Sequence, residues 1–468
     1  MNSVKQNFIY NTAYQILVII IPLITAPYLS RVVGAKGIGL FSYYYSVATY
    51  FSIFILLGLN NYGNRSVAKI RDNKRELSNT FWNIYAMQLF LGLLINMLYF
   101  LYAFLYSSNK CLSLIMGFFV VSSTFDVNWF LFGMEKFKES VFRNSLIKVL
   151  TTICIFIFVK NQNDILIYSF IMTFGTFLGQ IIIWPYVLNE IFFIWPKWKN
   201  VKTHIKPNLI LFFSVIAISL YKILDKIMLG YMSDASQVGY YELAERFLLI
   251  PMALINSLGT VMLPKMSYLK RDKNKENIIY KSIIFVMFLS TSICFGIMGI
   301  SKEFIPIFFG EGFQTTTKVL TILMPSCIFL AFANVIRTQY LLPNNIDRPY
   351  VFSSFLGAFV NVIINLILIP TLGALGTAIG TLVAEFIVAT YQAKTANKYL
   401  NINKYLSISV PFLTAGVIMY VTLTQMSLIN GIFLRLIFKI LIGVVIYFLV
   451  LIIFSISGYK DFKIKNNL

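Results

Sequence analysis

The chain has 468 residues, 58% of them hydrophobic and 12% charged, with a formal net charge of +21. A water-soluble domain is about 25% charged, so this composition excludes a globule wetted on all sides. One histidine, four cysteines without CxxC spacing and no Gly-rich phosphate loop exclude a metal or disulfide framework and an NTPase or hydrolase centre.

Spanning hydrocarbon takes roughly 20 apolar residues per helix, and the chain offers fourteen such stretches, at about 9–29, 40–60, 81–106, 111–132, 144–160, 164–187, 208–232, 237–262, 281–300, 316–342, 349–370, 374–396, 405–425 and 430–456. Each is continuously apolar rather than alternating, which predicts helices and not barrel strands. The first is too long for a signal-peptide core and has no cleavage site after it, so it is expected to stay in the protein. Basic residues fall after every second stretch: Lys5, the runs Arg65–Arg75, Lys136–Arg143, Lys197–Lys206 and Lys265–Lys281, then Arg348, Lys394–Lys404 and the tail lysines Lys460, Lys463 and Lys465. These connectors hold 26 of the 39 Lys and Arg, against six on the other side. That asymmetry places both termini in the cytoplasm and explains the positive charge without nucleic acid as a partner. His204 sits in a basic loop and reads as ordinary surface. Cys111, Cys154, Cys294 and Cys327 read as small packing residues.

An internal repeat organises the spans. Ser30–Gly34 with Gly39–Tyr43 is echoed at an offset near 200 residues by Asp225–Gly230 with Gly239–Leu243, and each stretch ends in a basic run. Trp129–Gly133 is likewise echoed by Gln339–Pro343. Six spans separate the paired elements, so the repeats are parallel, related by an axis along the membrane normal. The expected architecture is an all-α polytopic membrane protein of about fourteen transmembrane helices. It has an N-lobe at 1–195, a C-lobe at 196–400, and two added helices with a cytoplasmic tail at 401–468. Pro22, Pro27, Pro251 and Pro325 interrupt spans and are candidate bends; Gly373, Gly376 and Gly380 offer small faces for helix packing.

Four blocks resemble one family. Pro27–Gly34 with Gly37-Ile38-Gly39, Gly58–Arg65, Asp126–Phe130 with Gly133–Phe137, and Asp225–Gly230 with Val238–Tyr241 are together similar to the bacterial polysaccharide repeat-unit flippases of the Wzx type. The resemblance covers roughly residues 1–400. It implies the multidrug/oligosaccharidyl-lipid/polysaccharide exporter fold, two six-helix bundles with extra C-terminal helices. It also implies a cargo of undecaprenyl-pyrophosphate-linked oligosaccharide, moved from the cytoplasmic to the outer leaflet of the bacterial cytoplasmic membrane for capsule or O-antigen. A polysaccharide polymerase and a chain-length regulator are the implied protein partners, beside the membrane lipids.

Charges inside the spans are the candidate site, because an ionisable group in hydrocarbon costs at least ~2.5–3.5 kcal/mol and normally faces a cavity or a partner. The cations are Arg31, Lys148, Lys222, Lys226, Arg246 and Arg337; on a cavity wall they would offset the desolvation of a pyrophosphate. The acids are Asp126, Asp225, Glu242, Glu245 and Glu385. Lys222, Asp225 and Lys226 share one helix face, as do Glu242, Glu245 and Arg246, and internal salt bridges among them are the alternative. Asn361 and Asn365 share a face of the eleventh span, Thr377 and Thr381 one of the twelfth. With Asp225, the residues Asn361, Asn365 and Thr381 would supply oxygen ligands suited to Na+, as the resemblance to lipid II flippases implies, although an asparagine stands where a second acid would strengthen the site. Polar helix–helix contact is the alternative, and proton coupling through Asp126, Glu242 or Glu385 is another. Phe41, Tyr43, Tyr44, Tyr45, Tyr50 and Phe51 crowd the second span as a lipid-facing or interfacial surface, or as a platform for sugar rings.

The expected activity is therefore alternating-access translocation without an enzymatic step, with no cofactor beyond a coupling Na+ or H+. The alternatives are a cation-coupled drug exporter of the same fold and a membrane-embedded polysaccharide polymerase.

Overall fold

The computed structural model describes the backbone of residues 2–268, 273–344, 346–426 and 430–465, and the side chains of that range except 2–13, 15, 16, 19, 213–215, 217, 218, 220–222, 261, 264, 273, 274 and 457–465. The expected residues Lys5, Lys222, Lys270, Arg271, Lys273, Lys460, Lys463 and Lys465 therefore lie outside the described side chains.

Eighteen α-helices and no strand are present among the described residues. They are α1 (Asn2–Val32), α2 (Gly34–Leu56), α3 (Leu59–Ala68), α4 (Lys74–Leu105), α5 (Lys110–Thr124), α6 (Asn128–Gly133), α7 (Phe137–Phe158), α8 (Ile165–Ile182) and α9 (Trp184–Leu188). The chain continues through α10 (Trp198–Met232), α11 (Ala235–Tyr268), α12 (Lys273–Phe309), α13 (Gln314–Leu323), α14 (Ser326–Ile336), α15 (Asp347–Leu372), α16 (Ala374–Ala396), α17 (Ile402–Gln425) and α18 (Ile432–Lys465). Twelve helical segments among the described residues are long and apolar enough to cross a membrane. The remaining two expected spans, the first and seventh, are occupied by α1 and α10. Loop asparagines start several of the helices: Asn73, Asn109 and Asn401 each accept from the backbone N–H three residues on, satisfying a donor the first turn would otherwise leave open.

Four spans are broken rather than continuous. The second bends between α2 and α3, where Leu57 takes a φ of 48°. The fourth breaks at Phe125–Val127 between α5 and α6, the sixth at Ile183, and the tenth at Met324–Pro325. Pro325 is the one expected proline break realised; α1 runs through Pro22 and Pro27 and α11 through Pro251. The hydrogen bond each proline removes is tolerated there because the flanking turns hold the helix.

By contact the chain divides into Met1–Gly230 and Tyr231–Leu468. In the first unit the core gathers Phe81, Ile84, Trp129, Phe130 and Leu59. Two glycines let α3 and α6 meet: a Cβ on Gly63 would lie 2.5 Å from the Trp129 ring, and one on Gly133 2.6 Å from Val67. Two of the four family blocks are thus one helix crossing. The second-span aromatics also pack inside this unit. None is exposed; Tyr45 packs on Phe119 at 4.6 Å, Phe51 on Tyr99 at 5.2 Å, and the Asn109 N–H donates to Tyr44 Oη at 2.9 Å. The lipid-facing reading of that cluster is replaced by inter-helix packing.

In the second unit α17 and α18 dock on α12. Gly416 admits Phe295 and Gly299 admits Leu423; a Cβ on either glycine would lie under 3 Å from that side chain. Tyr447 on α18 exchanges a 2.8 Å hydroxyl contact with Thr291 and donates to the Phe288 carbonyl.

Candidate functional site

In the first unit Arg31 is exposed on the last turn of α1. Lys148 is half-buried on α7, off the apolar exposed face of Leu146, Val149, Leu150 and Ile153, and no carboxylate among the described residues pairs with it. Asp225 is buried on α10 and Lys226 half-buried beside it; Lys222 lies outside the described side chains.

Asp126 takes a structural position. At the break between α5 and α6 its Oδ1 accepts from Asn128 N at 2.9 Å and Asn128 Nδ2 at 2.6 Å, a local turn contact that shapes the entry to α6. Asn128 Oδ1 in turn accepts from Arg143 at 2.6 Å and from Ser140 at 3.0 Å. Arg143 also donates to the Gly179 carbonyl at 2.7 Å and to Gln180 at 3.0 Å. Arg143 was expected in a basic cytoplasmic loop; it is buried instead, its charge solvated by neutral oxygens from α6 and α8. Its proximity to Lys136 and Lys138 disguised it, and a helix start at Phe137 was the missing signal. Below it, Gln88 donates to the carbonyls of Ser123 and Asp126 and accepts from Trp129 Nε1, so the backbone freed by the break is satisfied.

His204 is not loose surface either. It lies in the first turns of α10, half-buried, with Nδ1 2.6 Å from the Tyr62 hydroxyl. Burial lowers its pKa from the usual histidine value.

In the second unit Arg246 is half of an ion pair: its Nε donates to Glu242 Oε1 at 3.1 Å along α11. The salt-bridge alternative applies to this residue, so Arg246 is not an uncompensated cation. Glu245 is half-buried and Glu385 buried. Arg337 begins a π-helical turn, Arg337–Leu341. Its guanidinium stacks over Tyr350 at 5.3 Å, and no carboxylate among the described residues pairs with it. A π-turn widens the helix by one residue and is often found at functional sites.

The asparagine–threonine group assembles within the second unit. Asn361, Asn365 and Thr377 are fully buried and Thr381 nearly so. Asn365 Nδ2 donates to Asn361 Oδ1 at 3.2 Å, and Tyr241 meets the Thr381 hydroxyl at 3.0 Å. Gly380 lets α16 approach, since a Cβ there would lie 2.4 Å from Asn365 Oδ1. The Thr377 hydroxyl and Asn361 Nδ2 find no partner; an orphaned hydroxyl oxygen suits a hard cation, whereas an orphaned amide N–H does not.

One charged pair escaped sequence reading. Lys439 in the fourteenth span is 1% exposed and donates to both oxygens of Glu303 at 2.8 and 2.9 Å, with Arg435 at 3.9 Å from the same carboxylate. It ties α18 to α12.

The family model described as "Polysaccharide biosynthesis protein" matches residues 4–270, more than half of the chain. A protein of Escherichia coli (strain K12) described as an O-antigen transporter is 25% identical over 397 residues, covering 83% of this chain and 95% of its own. The solved structure of the lipid II flippase MurJ in an inward closed conformation is similar with a TM-score of 0.68 at 20% identity, covering 94% of this chain and 99% of that one. An inward-facing multidrug resistance MATE family transporter gives 0.57 at 12% identity, covering 87% and 99%. The two structures establish the fold alone. With twelve helical segments among the described residues long and apolar enough to cross a membrane, this chain is a multi-pass membrane protein. The chain belongs to the polysaccharide biosynthesis protein family.

Proposed function

We propose that the chain is a flippase that carries undecaprenyl-pyrophosphate-linked oligosaccharide from the cytoplasmic to the outer leaflet of the cytoplasmic membrane. The observation that carries this reading is a pair of intramembrane cations without acid partners, Lys148 in the first unit and Arg337 in the second. A lone cation inside a span is costly, and a diphosphate supplies the missing anion. Arg31 and Lys226 are further cationic contacts for the same diphosphate, a role that does not depend on either being unpaired.

Two lobes, 1–195 and 196–400, alternate access to the two sides, with 401–468 as an addition and both termini cytoplasmic. Within the second unit, Asn361, Asn365 and Thr381 would supply oxygen ligands to a coupling Na+, tying transport to an ion gradient. A proton taken up by Glu242, Glu245 or Glu385 is the alternative coupling. A polymerase and a chain-length regulator are the protein partners that would consume the product. Support comes from the O-antigen transporter and lipid II flippase relatives.

The test is deletion of the gene followed by extraction of lipid-linked oligosaccharide. Accumulation in the inner leaflet with loss of surface polysaccharide is expected; unchanged surface polysaccharide would refute the reading.

A further inference from the structure

The exposed faces of two spans in the second unit differ in kind. On α18 every exposed residue from Ile432 to Phe454 is apolar, as a helix against acyl chains requires. On α11 the exposed residues Asn256, Ser257 and Thr260 form a polar patch in mid-span, one face with Leu249 and the half-buried Arg246. Ser257 and Thr260 bond back to their own helix, which lowers their cost in lipid, but Asn256 does not. Its carboxamide Oδ1 accepts from Asn334 Nδ2 on α14 at 2.9 Å. That contact is built in: α14 reaches α11 at Gly259, where a Cβ would sit 2.7 Å from Asn334 Oδ1. Asn334, Arg337 and Thr338 follow at i, i+3 and i+4, so the amide pair and the acid-free guanidinium share one helix face.

A carboxamide pair of this sort is half satisfied. Asn256 retains an exposed NH2 with two donors, and side-chain amides offer donor and acceptor together. Sugar hydroxyls and acetamido groups offer the same combination in return. We propose that Asn256 and Asn334 form a sugar-recognising element of the second unit, contacting the first saccharide of the cargo while Arg337 takes its diphosphate. This inference rests on the flippase reading and names residues for the glycan part that charge alone does not select.

The test uses purified protein in nanodiscs and two probes, undecaprenyl pyrophosphate and undecaprenyl-pyrophosphate-linked N-acetylglucosamine, with binding followed by native mass spectrometry. The wild type should bind the sugar-bearing lipid more tightly than the bare one. Asn256→Leu should weaken the sugar-bearing lipid about tenfold, the effect of one lost hydrogen bond, and leave the bare lipid within about twofold, which also reports an intact fold. Gly259→Ala, which displaces Asn334, should show the same selective loss, whereas Arg337→Gln should weaken both lipids. Equal binding of the two lipids by the wild type, or parallel losses in Asn256→Leu, would overturn the sugar-recognition inference alone. Failure of the wild type to bind either lipid would overturn the flippase reading with it.

Discussion

The Glu303–Lys439 pair gives a stability prediction whose size can be worked from the geometry. Glu303 is 5% and Lys439 1% exposed, and the ammonium sits between both carboxylate oxygens. Removing one partner of such a pair leaves the other charged without compensation, a loss of about 3–5 kcal/mol in buried sites. Glu303→Gln should fall near the lower bound, about 3 kcal/mol, because it strands Lys439 but keeps the shape of the carboxylate. Lys439→Met should cost less, about 2 kcal/mol, since Arg435 lies 3.9 Å from Glu303 and can turn to it. The double variant removes both buried charges of the pair, leaving the half-exposed Arg435 as the neighbouring charge, and should be no worse than Lys439→Met. The cycle then yields a coupling of about 3 kcal/mol. SDS titration of the four proteins in bicelles measures it. Additive losses in the double variant would refute the claim that each partner is needed mainly to neutralise the other.

Other perturbations test other joints of the structure. Gly63→Val, forced against Trp129, should destabilise the first unit by about 1–3 kcal/mol, measured by thermal aggregation in detergent. Arg143→Leu removes the guanidinium donor from Asn128, Gln180 and the Gly179 carbonyl, of which Asn128 keeps Ser140, and should cost about 2–4 kcal/mol; Asn128→Leu in the same background should then add little. Arg246→Glu should disrupt folding or export, and the exchange Glu242→Arg with Arg246→Glu should restore much of it, as expression and surface-polysaccharide staining would show. His204 is held neutral by burial, so the unfolded chain takes up its proton first. The stabilisation is complete above the unfolded pKa of ~6.5 and declines as pH falls through it toward the lower folded value. Thermal melts against pH should show this decline in the wild type and lose it in His204→Gln.

Much of the architecture was legible in the sequence because hydropathy reports length and burial in lipid directly. The fourteen expected stretches all fall on helices, and the offset between Trp129–Gly133 and Gln339–Pro343 falls on two spans that both depart from regular helix, one through the Asp126 break and the other through the π-turn at Arg337. The breaks themselves were hidden. One to three residues at Leu57–Gly58 or Phe125–Val127 change local geometry without changing mean hydropathy; Pro325 carried a covalent signal, and Pro185 beside the Ile183 break carried one that went unread. Charge partners were hidden for another reason. Glu303 and Lys439 lie 136 residues apart, and no local spacing rule joins them. The asparagine–threonine group was found because both pairs obey i, i+4 on their own helices; their meeting at Gly380 was not, since it depends on packing between helices.

Reconstituted translocation decides the role of the unpaired cations. Proteoliposomes holding the purified chain and undecaprenyl-pyrophosphate-linked oligosaccharide, assayed by periodate access to the sugar from outside, should show transfer with the wild type. Lys148→Gln and Arg337→Gln should each slow it by at least about tenfold, the equivalent of ~1.4 kcal/mol, while the protein remains folded. Transfer at the wild-type rate in both variants, or none in the wild type, would contradict the account.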